Sequence, residues 1–183
     1  MRSIGLLTFM MPAGFSNGAA TMIGKSIGDE RRNLAMQYYK VAQVAGLVIS
    51  LFQILVLAVF KTPIISLFTS DEDVFAMIEA AWPILCLFTL FDTTQCMGIS
   101  VLRGSGKQAK GAIFTFTAYW FFGIPLAYLC GIHLQWENMG LWIGPTVACA
   151  YLTICYSLLI ACLDWEALFE EIRERKSREN EVR

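Results

Sequence analysis

The sequence predicts an all-α membrane protein of about five transmembrane helices followed by a charged helical tail. Three observations carry that expectation. Of the 183 residues, 56% are hydrophobic and only 16% are charged, with a mean hydropathy of +0.55. Twelve of the charged residues lie in the last twenty positions, Asp164 to Arg183, which leaves about one charge in ten for the rest of the chain. A soluble domain carries roughly 25%, and a chain with so few polar side chains cannot cover a water-facing exterior without large apolar patches. Finally, charge-free runs of roughly 20 residues recur, the length a helix needs to cross a hydrocarbon core about 30 Å thick.

The first run, Ser3–Gly24, lies between Arg2 and Lys25. It starts almost at residue 1, and its Pro12 and small residues suit an interior helix of a larger bundle. Preceding membrane segments are therefore expected, so that the chain reads as a fragment; a complete five-span protein with an outside N-terminus is the other reading. Val41–Phe60 follows between Lys40 and Lys61, then a run of about Val74–Leu102 that contains Glu79 and Asp92. Gly111–Trp136 and Asn138–Leu163 complete the bundle, residues 1–163. Residues 164–183 form the tail, where Trp165, Leu168, Phe169 and Ile172 fall at i, i+3, i+4, i+7 and predict a helix. Trp165 is expected at the membrane interface, with the apolar edge of the tail on the headgroups. Asp71, Glu72 and Asp73 read as a solvated acidic turn.

Alternating spans place twelve of the 14 Lys and Arg on one side and only Arg2 and Lys61 on the other. The positive-inside rule makes the rich side, with the C-terminus, cytoplasmic. A net charge of −1 without a basic face excludes nucleic acid as a partner. The six cysteines lie in or beside apolar runs with no C-x-x-C pair, and His133 stands alone, so no metal site is expected and the thiols read as small hydrophobes. Arg103-Gly104-Ser105-Gly106-Lys107 lacks the spacing of a phosphate loop. No nucleophile–base constellation is evident. A lipid-acting membrane enzyme would need a second acidic, His or Cys group beside Asp92 at an interface, so the chain is not expected to be an enzyme.

Asp92 is the residue that points to chemistry. An ionised carboxylate near the middle of a span costs several kcal/mol unless it faces a bundle interior or a water-filled cavity. Low dielectric favours its neutral form and a bound cation favours the carboxylate, which is what a site exchanging a proton for a cation requires. Phe88, Thr89 and Gln95 share its helix face and are the candidate cavity-lining residues, with aromatic rings able to receive an organic cation. Pro12, Pro83, Pro125 and Pro145 give four spans a potential kink. Gly14/Gly18 and Gly24/Gly28 offer small faces for close helix approach.

Several ordered strings resemble the C-terminal half of a multidrug and toxic compound extrusion (MATE) transporter of the eukaryotic type. They are Met11-Pro12-Ala13-Gly14-Phe15-Ser16, Gly24-Lys25-Ser26-Ile27-Gly28, Val101-Leu102-Arg103-Gly104-Ser105-Gly106-Lys107-Gln108, Gly123-Ile124-Pro125-Leu126-Ala127, Gly140-Leu141-Trp142-Ile143-Gly144 and Asp164-Trp165. The resemblance implies helices eight to twelve of a twelve-helix, two-lobed transporter. It implies a secondary antiporter exporting organic cations or xenobiotics in exchange for protons or sodium, without other cofactors. Asp92 then aligns with an acidic position in the tenth helix tied to cation and proton handling. The implied partners are the lipid bilayer, a small cationic or amphipathic substrate and an N-terminal lobe missing here. Plasma and vacuolar membranes are both open. The alternative is a truncated, non-transporting half-lobe that inserts in the membrane and only associates with other chains.

Overall fold

The computed structural model describes residues 2–181, and side chains from residue 4 to residue 174. Arg183, and the side chains of Arg2, Ser3, Arg175, Lys176 and Arg178, which enter the charge and span readings above, lie outside the described residues. Helices α1 (Arg2–Gly28), α2 (Arg32–Val59), α3 (Lys61–Phe68) and α4 (Glu72–Gly104) are followed by α5 (Gln108–Thr117) and α6 (Ile124–Tyr128). α7 (Glu137–Ala161) and α8 (Trp165–Glu181) complete the chain. π-helical turns at Ala118–Gly123 and Leu129–His133 flank α6 and weld α5 and α6 into one rod.

By length and composition, four described segments can cross a membrane: Arg32–Val59, Glu72–Gly104, Gln108–His133 and Glu137–Ala161. The 27-residue α1 is long enough, but Pro12, Gly14, Ser16, Asn17 and Gly18 dilute its apolar positions. Packing shows where it belongs. Gly24 of α1 meets Gly104 of α4, Ser16 Oγ donates to the Cys96 carbonyl at 2.6 Å, and Ile4 joins Trp82 and Leu85. α1 therefore runs parallel to α4 over most of its length.

The same reading orders the other helices. Gly46 of α2 faces Met97 while Leu57 accepts from Trp82 Nε1 at 3.0 Å, so α2 is antiparallel to α4. Trp142 lies at Phe88, and Tyr156 at Gly98, so α7 is parallel to α4. Thr115 meets Tyr156 and Cys130 meets Gly140, which sets the α5–α6 rod antiparallel to α7. The alternation assumed in counting loop charges is thus the alternation of the fold, with α4 at the centre of the bundle.

The burial pattern is that of a lipid-solvated bundle. Large apolar side chains such as Leu7, Leu51, Ile113, Phe121 and Ile154 point outward, while Ser16, Ser50, Gln53, Thr93, Ser100 and Thr146 are buried. With lipid as apolar as leucine, small and polar groups make the helix contacts. Gln53, on an otherwise apolar α2, donates to the Thr8 carbonyl at 2.8 Å and ties α2 to α1.

Helix ends follow local chemistry. Asp71 caps α4 by accepting from the Asp73 and Val74 amides at 2.9 and 3.2 Å, so the acidic turn is a helix start. The segment carrying Lys61 and Pro63 before the acidic turn reads from the sequence as a loop, and Lys61–Phe68 of it forms the short helix α3, seated by its buried Ile65. Lys61 Nζ on α3 pairs with Glu79 at 2.6 Å; Glu79 is partnered, not merely solvated. Both groups are exposed enough to make this a small contribution. α4 ends with Gly106 at φ 72°, where Lys107 N–H returns to the Leu102 carbonyl, the left-handed cap that glycine favours.

α8 forms the tail helix, but its apolar edge is not left for headgroups. Trp165 and Leu168 are buried with Ile23, Ile27, Ala35, Val101 and Ile160, and the Arg32 guanidinium lies 5.7 Å from the Trp165 ring. Arg173 makes a two-pronged pair with Glu30 in the α1–α2 turn. Losing a buried Trp side chain costs about 3–5 kcal/mol. Trp165→Ala is therefore expected to free α8, raising the rate of limited trypsin cleavage in the tail by about tenfold while the bundle core stays protected. An unchanged digestion pattern would show that α8 is held elsewhere.

Candidate functional site

One stripe of α4 builds the site. Phe88, Asp92, Gln95, Cys96, Ile99 and Arg103 fall at helical spacing on one face, and all six line a single cleft of about 430 Å³. α1 closes one side with Gly5, Leu6 and Phe9, the α5 rod contributes Thr115 and Tyr119, and α7 contributes Trp142 and Leu152. Asp92 is only 6% exposed, at mid-bundle, where the sequence required shelter.

Its immediate partners are neutral donors. Gln95 Nε2 donates to Asp92 Oδ1 at 3.2 Å, and the Cys149 thiol of α7 approaches the same oxygen at 3.9 Å. The Tyr119 hydroxyl stands 3.5 Å from Cys149 Sγ, so a polar chain runs from the α5 rod through α7 to α4. Among the described residues no Lys or Arg pairs with Asp92. A carboxylate held by neutral donors keeps a net charge to offer, because the donors orient it without neutralising it. No three His, Cys, Asp or Glu side chains converge to hold a metal among the described residues, and all six thiols are free. Cys149 does reach Asp92, yet at mid-bundle and not at an interface.

The aromatic wall is real but is assembled across helices. Phe88 meets Trp142 edge-on, with centroids 5.3 Å apart at 75°. Gly5 permits the approach: a Cβ there would sit 2.9 Å from the Trp142 ring. Thr89, read from the sequence as cavity-lining, is not part of the lining. It is 2% exposed and its hydroxyl donates to the Leu85 carbonyl at 2.9 Å, so its side chain serves helix packing. Trp142, Tyr119 and Phe9 were missed as site residues because each comes from another helix; only Trp142 stood in a string the sequence had singled out.

The four prolines behave differently from one another. Pro12, Pro83 and Pro145 sit inside uninterrupted α1, α4 and α7. Pro125 alone lies at a change of helix type, in the first turn of α6 behind the π-helical Ala118–Gly123. Proline removes one backbone donor, and the chain accommodates by winding wider. The π turn carries Tyr119, so this irregularity sits beside Asp92.

Known proteins share this architecture. The MatE family model matches residues 2–129. Human "Multidrug and toxin extrusion protein 2" is 32% identical over 98% of this chain and 30% of its own length. A transporter of Schizosaccharomyces pombe with no characterised activity is 31% identical over 92% of this chain and 32% of its own. The crystal structure of the eukaryotic MATE transporter AtDTX14 superposes with a TM-score of 0.88 at 27% identity, covering 94% of this chain and 39% of that one. The chain thus spans about a third of the length of the curated relatives it matches. A family model matching most of the chain and a shared fold together make it a member of the MATE family.

Proposed function

We propose that this chain supplies the cation-handling lobe of a secondary antiporter that exports organic cations or xenobiotics in exchange for protons. The observation that carries the reading is Asp92: a sheltered carboxylate with neutral donors, opening on a cleft walled by Phe88 and Trp142. A proton or an organic cation can satisfy that charge, and both cannot do so at once. Competition of this kind is the elementary requirement for exchange.

The surroundings favour protons over sodium. Sodium sites in transporters draw on backbone carbonyls freed where helices unwind. Here α4 is continuous through Asp92, and the Thr89 and Thr93 side chains are buried outside the cleft lining. The relatives' names, multidrug and toxin extrusion, agree with an exporter of diverse cations. The excess of Lys and Arg in the α1–α2 turn, the α4–α5 turn and α8 supports a cytoplasmic position for them, at either the plasma or the vacuolar membrane.

A second reading follows from the chain's spanning about 30% of its human relative. Alternating access needs two faces around a cleft, so this lobe binds without transporting until another lobe closes over it. Proteoliposomes separate the two. With an acidic lumen, antiport draws external tetraethylammonium inward, above protein-free liposomes, and nigericin abolishes the uptake. Binding seen by intrinsic tryptophan fluorescence without uptake identifies a half-lobe. Absence of both defeats the cation-handling assignment.

A further inference from the structure

We infer that the Asp92 cleft is bipolar and that Arg103 selects amphipathic cations bearing a distal anionic or strongly accepting group. This rests on Asp92 being the cation site, as proposed above. Arg103 stands eleven positions after Asp92, just over three turns of helix, so the two side chains lie on one stripe of α4 about 16 Å apart. Both line the same cleft, with Gln95, Cys96 and Ile99 between them. A negative pole and a positive pole thus stand at opposite ends of one largely apolar slot.

Arg103 differs from three other bases at its end of the bundle, which have acidic or aromatic partners. Lys107 faces Glu171, Arg173 pairs with Glu30, and Arg32 lies over Trp165. Arg103 instead spends one donor on a neutral acceptor, Asn17 Oδ1 of α1, at 2.9 Å. That bond turns the guanidinium across the α1–α4 boundary without cancelling its charge. A guanidinium has five donors in a planar fork, so most of them stay available for a carboxylate, sulfonate or phosphate. An elongated ligand with an ammonium at one end and such a group at the other satisfies both poles. A compact monocation satisfies only Asp92.

The test uses the full chain in neutral-lipid nanodiscs at pH 7.5 and reads the change in intrinsic tryptophan fluorescence, to which Trp142 contributes from the cleft wall. The probes are the inner salt of trimethylammonio-undecanoic acid and its methyl ester, which share the cation and differ in the distal charge. The wild type is expected to bind the inner salt about tenfold more tightly than the ester. Arg103→Gln removes that preference, so that the two probes bind alike, and Arg103→Lys, which keeps the charge, retains part of it. Asp92→Asn weakens both probes. Equal affinities in the wild type, or a preference surviving in Arg103→Gln, overturn the bipolar cleft while sparing the Asp92 reading. If Asp92→Asn binds both probes normally, the underlying reading fails instead. Should Arg103→Gln elute aggregated, the wild-type comparison of the two probes still decides.

Discussion

Asp92→Asn is expected to leave the bundle folded and to weaken tetraethylammonium binding about 100-fold. The substitution is isosteric, and the new amide oxygen still accepts from Gln95 Nε2, so the local hydrogen bond survives. What disappears is the charge. In a cleft walled by Phe88 and Trp142 the attraction of a carboxylate for a quaternary ammonium is poorly screened, and no second acid lines the cleft to replace it. The pH dependence has a definite sign. Protons compete with the cation for the wild-type carboxylate, so affinity falls as pH is lowered; the Asn variant binds weakly at every pH, with a flat profile. Asp92→Glu keeps the charge but extends it by one methylene into a slot shared with Gln95, and is expected to lose only about tenfold, with the pH slope retained. Thermal stability should hold or rise in Asp92→Asn, since an ionisable group at membrane depth is costly to shelter. Titrating tetraethylammonium against intrinsic tryptophan fluorescence from pH 5.5 to 8.5 checks the affinities and the pH slopes, and a thermal melt of Asp92→Asn checks the stability. A wild-type pH profile in the Asn variant would assign proton handling to another group.

The stripe on α4 was legible because a single helix obeys a single period. Asp92, Phe88 and Gln95 follow from a charge in an apolar run and a count of three or four residues either side. Thr89 fits the same count and fails, since periodicity names a face but not its edges. Its position, one residue off the axis of the stripe, falls under the packing of neighbouring helices. Trp142 and Tyr119 required knowing how α7 and the α5 rod cross α4, which no local pattern encodes. The π turns were hidden for a related reason: a reading that assumes 3.6 residues per turn cannot register a wider one, and Pro125 was the only sign. Short α3 fell inside a segment read as a loop because eight residues give too little periodicity to stand out. α1 reverses the case. Its lack of charge predicts a span, its composition falls short of the four segments that qualify, and its parallel course beside α4 accounts for Ser16 and Gly24.

Glycine spacing sharpens the point, and yields the largest stability effect expected. Gly14 and Gly18 have the small-residue spacing of a helix contact, yet a Cβ on either would meet nothing within 4 Å. The pair that is used stands four residues apart on α7. A Cβ on Gly140 would lie 2.5 Å from the Cys130 carbonyl and the Gly131 amide; one on Gly144 would collide with the Gly123 carbonyl and reach Ala127 Cβ at 2.8 Å. Apart from Ala127 Cβ on α6, which has no freedom to rotate away, those neighbours are backbone of the two π turns, so nothing can swing aside. The α5 rod and α7 would have to separate, opening the wall that holds Tyr119 near Cys149 and Asp92. Overpacking in a tight core costs about 1–3 kcal/mol for a single group, and a branched side chain exceeds that. Gly144→Val is therefore expected to prevent a monodisperse fold, and Gly144→Ala to lower the thermal midpoint by several degrees, about 2–4 °C per kcal/mol for a chain of this size. Gly14→Ala, with open space and a better helix former, should leave the midpoint level or slightly raised. Tryptophan-monitored melting of the three variants in one detergent checks the ranking. If Gly14→Ala proved the more damaging, the close crossing would lie on α1, and the cleft would be framed by different helices.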